Sequence, residues 1–450
     1  MLAQLKTKIA VAVALSALSA VSFAARSPDS TSAMPASADP LLLDLTPDHS
    51  GIKTTPPSDK VLFDHEGSGF AAPYAWAAPN IGILAYDPDG LLEAHARQGL
   101  RPVDNGTQLF GDATKFDDGY KPNSSFDALM HLAGPDTVTL DPSHPVWKKV
   151  KVWVDSTDKD GALARGRLLS LDEAGIAKIL LTPQTVTNGT DANGNKRKRE
   201  STFIMKNGEA RTIGEYSLVA KLADTEDLNL LPLSPEVMAL PDIEGSGTVH
   251  DLRQAMARDP KLVSLVKRAA AAASLPELAG LGVAILGEWT RDDGASGEPA
   301  ISPRHVVEKF SGFPFSKDVL DDFAAQHPGV SVDRLIAQAY GEILRKTVFT
   351  LAVQTSLANL WPQPFDVSGE TAPTPKFDDA GAEFDRLLAT DPAKALQRLT
   401  LFAATMTALG VPHDAAYTAF AQHIGATSAE GRRILEQFSP QRKDKAPAKP

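Results

Sequence analysis

The sequence predicts an α+β protein: a small, turn-rich β module with EF-hand-like Asp/Gly loops, followed by a mainly α-helical domain. Three observations carry that prediction. Short apolar runs separated by Asp, Gly and Asn turns fill the chain up to about Ala223, and after Leu240-Pro241 the apolar residues recur at three- and four-residue spacing. Strand-like and helical stretches are segregated rather than alternating, which favours α+β over α/β. The chain is 450 residues long and 43% apolar, enough for two to four domains at roughly 100–200 residues each.

The first 24 residues carry Lys6 and Lys8, an apolar run from Ile9 to Val21, and small residues Ser22 and Ala24 around Phe23. This is the pattern of a secretory signal peptide cleaved after Ala24. The apolar run falls short of the roughly 20 residues that span a bilayer, and no later stretch is apolar enough. The mature chain is therefore expected to be exported, periplasmic or secreted, with no transmembrane segment. Residues 25–39 are small, polar and Pro/Ser-rich and read as a disordered linker.

The β module is expected over 40–225. Val61–Phe63, Ile81–Tyr86, Val150–Val154 and Ile176–Leu181 are its clearest strands, with a short helix at Phe126–Leu132. Thr202–Lys206 and Glu209–Ile213 flank Asn207-Gly208, a two-residue hairpin signal because both residues tolerate positive φ. The helical domain is expected over 240–440, with helices at His250–Leu275, Val332–Leu360, Asp378–Thr390 and Pro392–Leu409. Leu335, Ala339, Ile343 and Val348 mark one apolar stripe. Residues 441–450 are charged, contain proline and read as a disordered tail.

Composition excludes several function classes. With 45 Lys+Arg against 56 Asp+Glu the net charge is −11, which argues against nucleic acid as a partner. The absence of cysteine removes disulfides, thiolate metal sites and cysteine nucleophiles. Neither His-Glu-x-x-His, Gly-x-Ser-x-Gly nor a phosphate loop occurs.

What remains are Asp/Gly loops, which suit calcium because that ion takes six to eight hard oxygens. Asp64-His65-Glu66-Gly67-Ser68-Gly69 offers Asp64, Glu66 and Ser68 at alternating positions, and Asp155, Asp158 and Asp160 precede Gly161. Asp87-Pro88-Asp89-Gly90, and Asp44 with Asp48, are weaker versions. Taken alone, each is more often a tight turn than a calcium site. Arg167 stands where an EF-hand-like loop starting at Ser156 needs a carboxylate. Asp191-Ala192-Asn193-Gly194-Asn195 lies beside the basic run Lys196-Arg197-Lys198-Arg199 and reads as a solvated hairpin tip.

A set of ordered matches connects these pieces: Asp39-Pro40-Leu41-Leu42-Leu43-Asp44, Val61-Leu62-Phe63-Asp64, Trp76, Gly82-Ile83-Leu84-Ala85-Tyr86-Asp87, Asp104-Asn105-Gly106, Leu109-Phe110-Gly111-Asp112 and Val152-Trp153. In them the first half resembles the calcium-dependent self-processing module of RTX-type iron-regulated proteins of the FrpC kind. Leu240-Pro241-Asp242-Ile243-Glu244-Gly245-Ser246-Gly247-Thr248-Val249 and Val307-Glu308-Lys309-Phe310 resemble the haemolysin-type calcium-binding-related region that follows such modules.

The resemblance implies calcium as cofactor and an Asp-Pro bond that breaks when calcium binds, a place that Asp39-Pro40 occupies here. An Asp carboxylate can attack its own carbonyl, the proline amine can leave, and water or a Lys amine can capture the anhydride. Three functions follow as expectations: a calcium-binding module with degenerate loops, autocatalytic cleavage at Asp39-Pro40, or a metal-free scaffold for another exported or envelope protein.

Overall fold

The computed structural model describes residues 34–35, 39–291, 302–315, 317–363 and 373–438; the expected signal peptide and tail lie outside them. The chain forms two compact units, divided between Asn229 and Leu230. Their architecture is α+β: antiparallel sheet in the first unit, helices in the second.

The larger sheet of the first unit is antiparallel, in the order Thr139–Leu140, Ile176–Leu180, Lys196–Met205, Ala210–Ser217, Leu41–Asp44, Ile81–Tyr86, Val150–Val154, Arg167–Ser170. Its central strand reads Leu41-Leu42-Leu43, all fully buried, because the sheet is covered on both faces. Successive side chains of a strand point to opposite faces, so Leu41 and Leu43 enter one core with Leu84, Val152, Phe126 and Leu129, and Leu42 enters another with Ile83, Trp76 and Trp153. The helix Ser125–Ala133 supplies Phe126 and Leu129, and the Ser124 hydroxyl caps it by accepting the Asp127 N–H. A smaller sheet joins Ser58–Phe63, Phe70–Tyr74, Val219–Ala220 and Glu226–Asp227. Met34–Pro35, inside the segment read as linker, pairs with Val219–Ala220 along its edge.

A hairpin forms at Asn207-Gly208, but not as the expected two-residue turn: the Met205 N–H bonds to the Glu209 carbonyl around a three-residue loop, Lys206 to Gly208, in which Gly208 takes φ +87° and Asn207 is not at positive φ. Asp191 to Asn195 form a hairpin tip, closed by an antiparallel bridge between Thr190 and Lys196, with Ala192 and Gly194 exposed, but the tip is not solvated throughout. Lys196 to Arg199 open the ten-residue strand Lys196–Met205, and the Asp191 turn before them is tied inward, with Asn195 fully buried. Asn195 donates from its side chain to Thr54 and Thr55 and accepts the Val219 N–H.

In the second unit the stretch expected as one helix over His250–Leu275 is divided. Leu252–Arg258 and Pro260–Ala271 are separate helices, and Leu275 opens a third, Leu275–Trp289. Proline removes an N–H donor and forces the preceding residue to extend, so Asp259 adopts φ −135° and caps the Lys261 N–H instead. The helix from Val332 ends at Gln354, with a 3-10 turn at Ala358–Leu360. Phe377–Thr390 and Pro392–Leu409 form close to their expected bounds. One apolar core, including Trp289, Ile343, Trp361 and Phe402, runs through these helices.

Candidate functional site

Asp39 and Pro40 precede the central strand Leu41–Asp44, and both are buried. Pro40 is fixed through its carbonyl, which accepts the Tyr216 N–H at 3.2 Å. Across the strand, Glu215 stands opposite Leu41. The neighbouring strand slips register between Arg197 and Arg199, leaving Lys198 as the extra residue of a β-bulge. A bulge re-aims side chains, and here the Lys198 ammonium forms an ion pair with Asp39 Oδ2. Asp39 Oδ1 is buried and has no hydrogen-bond partner.

Charge and burial act against each other at this carboxylate. Burial pushes the Asp39 carboxyl above its ordinary value, while Lys198, the Ser217 hydroxyl and the Arg199 charge pull it down. Burial and the nearby Asp39 charge also raise Glu215, which is 1% exposed and whose Oε2 accepts the Phe126 N–H at 3.4 Å. The Arg199 guanidinium donates to Ser124 Oγ at 2.8 Å. Asp112 is pushed up to about 7 by burial and by the charges of Glu66 and Asp39, and its Oδ1 is also buried without a partner. A carboxylate oxygen free of hydrogen bonds, one residue from a tertiary amide and beside a cation, can act as an internal nucleophile whose ring closure has five atoms.

Asp39-Pro40 is one of five Asp-Pro pairs in the chain. The other four aspartates accept local backbone N–H groups: Asp87 from Leu92 and Glu93, Asp141 from Ser143, Asp259 from Lys261 and Asp391 from Lys394. They are caps and turns. Only Asp39 of the five is committed to a distant lysine.

The loops singled out as metal ligands are closed by their own donors. Asp64 Oδ1 accepts from the Ser68 N–H at 3.0 Å and its Oδ2 from the Gly69 N–H at 2.7 Å, while Glu66 and Ser68 lie at the surface. Asp155 Oδ2 takes both Nε and Nη2 of Arg167, at 3.1 and 2.8 Å, and its Oδ1 takes the Asn80 N–H. Asp158 Oδ1 accepts the N–H groups of Asp160 and Ala162, both at 2.9 Å. Asp44 is engaged by Thr46 and Gly51 in the same way. Among the described residues no three Asp, Glu or His side chains are drawn together as a metal site. As folded, the carboxylates of these loops accept loop backbone N–H groups and, at Asp155, the Arg167 guanidinium.

Residues 41–219 match the family described as the SPM domain. Over 257 residues the chain is also 28% identical to the iron-regulated protein FrpA of Neisseria meningitidis serogroup C. That stretch is 57% of this chain and 22% of the relative, so the chain spans under a quarter of the curated protein it matches.

The SPM-matching segment begins one residue after Pro40 and contains Lys198, Arg199, Glu215 and Ser217. Sequence reasoning reached Asp39 and Pro40 but missed these partners. A signal for Glu215 was present: the single charge in an otherwise uncharged strand end, Ile213 to Leu218, is costly to bury unless it is used. Lys198 had no such signal, because a bulge is invisible in a basic run. In the helical unit the two quoted signatures meet: Ser246 Oγ donates to the Phe310 carbonyl and the Thr248 N–H to the Lys309 carbonyl at 2.9 Å.

Proposed function

We propose that the first unit cleaves its own Asp39–Pro40 bond. The observation that carries this reading is the state of the Asp39 carboxylate, 5% exposed, paired through Oδ2 with Lys198 and uncommitted at Oδ1. The Oδ1 lone pair attacks the Asp39 carbonyl carbon, the C–N bond to Pro40 breaks, and the proline nitrogen takes a proton and leaves as a secondary amine. The products are a cyclic anhydride on Asp39 and a new chain beginning at Pro40. Strand pairing on both sides of Leu41–Asp44 keeps the new terminus in place. The SPM-domain match and the likeness to FrpA support the reading, and the aspartates of the other four Asp-Pro pairs are engaged instead by local backbone N–H groups. Incubating the full chain and sequencing its N-termini tests it: Pro40 must appear, and must not appear in Asp39→Asn.

A second reading, calcium binding, is favoured by the unpartnered Asp112 Oδ1 under the charges of Glu66 and Asp39. A cation there would relieve that repulsion, with loop 64–69 as its neighbour. Native mass with calcium and with chelator tests it, a bound ion that is lost in Asp112→Asn being the expected result.

A further inference from the structure

Two of the loop aspartates, Asp44 and Asp155, stand at the end of a core strand, and in each case the neighbouring strand brings an arginine to the loop. Asp44 ends Leu41–Asp44; Ile213 pairs with Leu43, so Arg211, two residues before Ile213, comes level with loop 44–51. Asp155 follows Val150–Val154, and Arg167 pairs with Val154. We infer that these guanidinium groups take the place of a metal ion: Arg211 is the built-in cation of loop 44–51 and Arg167 that of the loop at Asp155, so both loops close without calcium. This goes beyond the cleavage reading and does not rest on it.

Loop 44–51 presents oxygens to Arg211 as a calcium loop presents them to its ion. Nη1 donates to the Thr46 carbonyl at 3.1 Å and the Asp44 carbonyl at 3.5 Å, and Nη2 to Glu209 Oε2 at 3.3 Å. Backbone carbonyls and carboxylates are the donors that calcium loops use. The loop turns through His49 at φ +58°, and the His49 ring contacts Glu209, so the same acid ties the turn to the guanidinium. The Asp44 carboxylate is committed to the N–H groups of Thr46 and Gly51. A guanidinium tolerates that, because it carries a single charge and needs fewer oxygens than the six to eight that calcium takes. The Arg211 side chain is 10% exposed, and a permanent charge so far out of water holds its place only where oxygens face it. At Asp155 the contact is one-sided: Nε and Nη2 of Arg167 both donate to Oδ2, at 3.1 and 2.8 Å, with Asp155 at φ +52°. This pair is more exposed and contributes less. A cation that belongs to the chain is not removed by a chelator, so the closing of these loops is uncoupled from metal. The strand that follows Pro40 is thereby anchored at its far end whatever the calcium concentration.

The test is the melting temperature of the full chain in calcium and in chelator, measured in the Asp112→Asn background so that a cation held at Asp112 does not contribute. The expected result is the same melting temperature in both buffers. Arg211→Gln should melt lower in chelator and regain the loss when calcium is added, because the Asp44 and Thr46 carbonyls and the Glu209 carboxylate are then left without their cation. Arg211→Lys keeps a charge at the loop and should stay indifferent to calcium. A calcium-dependent rise in the Asp112→Asn chain that disappears on adding Asp44→Asn or Asp155→Asn overturns the inference, because the loop would then bind the metal with its arginine in place. An Arg211→Gln chain that melts unchanged in chelator, or whose loss calcium does not restore, also overturns it and leaves Arg211 a packing residue. None of these readouts depends on whether Asp39–Pro40 is cleaved, since Asp39→Asn can be added throughout.

Discussion

Lys198, the bulged residue of its strand, pairs its ammonium with the carboxylate of Asp39, 159 residues earlier in the chain. The pair spans the sheet centre and joins the residue before the scissile bond to a basic segment that otherwise resembles solvated surface. Taking a carboxylate out of water is costly, and an ion pair only partly offsets that cost, so such a pair marks a place where stability is not the whole purpose.

Replacing Asp39 with Asn removes the nucleophile while preserving shape. Formation of the Pro40 terminus should fall below detection. Because burial already outweighs the pairing at this carboxyl, the neutral Asn should leave folded stability at neutral pH unchanged or raise it, measured by chemical denaturation.

Asp112 makes stability depend on pH. Its folded-state value is raised to about 7, so between its unfolded value near 4 and about 7 the folded chain binds the extra proton. Its contribution is therefore present at low pH and lost as pH rises toward 7, on the order of 2–4 kcal/mol in all. Asp112→Asn should flatten this part of the curve and raise stability at pH 8 relative to the parent, as followed by melting temperature.

Asp64 closes its loop on the Ser68 and Gly69 N–H groups. Substituting Ala leaves those donors unpaired and should cost roughly 1–3 kcal/mol. The loss should be the same in calcium and in chelator. A loss confined to calcium-containing buffer would mean that Asp64 is a ligand first and a turn residue second.

Gly247 joins the two signatures of the helical unit. It has φ +64°, and a β-carbon there would lie 2.3 Å from the Lys309 carbonyl oxygen and 2.4 Å from the Gly312 nitrogen. Gly247→Ala should destabilise by roughly 2–4 kcal/mol through backbone strain, read as a lowered melting temperature.

Period and punctuation made the fold legible. Ile81–Tyr86 and Val150–Val154 form over the residues their apolar runs mark, and Asn207-Gly208 forms its hairpin, because each is decided by neighbours in sequence. The break at Asp259-Pro260 was equally local, but the apolar spacing continues across it and hides the proline's effect. Asp87-Pro88-Asp89-Gly90 shows a further local ambiguity. A carboxylate before a glycine suits a cation or a helix start, and here Asp89 accepts the Leu91 N–H and Asp87 those of Leu92 and Glu93, at the start of the helix Leu91–Arg97. The candidate site was legible only at Asp39 and Pro40. Lys198, Glu215 and Asp112 reach it through a bulge, a strand register and a loop, none of which spacing encodes.

The central claim is the breaking of one bond, and N-terminal sequencing of the purified full chain after incubation, with calcium and with chelator, tests it most directly. The account predicts a second sequence beginning Pro40-Leu41-Leu42-Leu43, absent from Asp39→Asn. A chain that keeps only its original N-terminus under both conditions would contradict it.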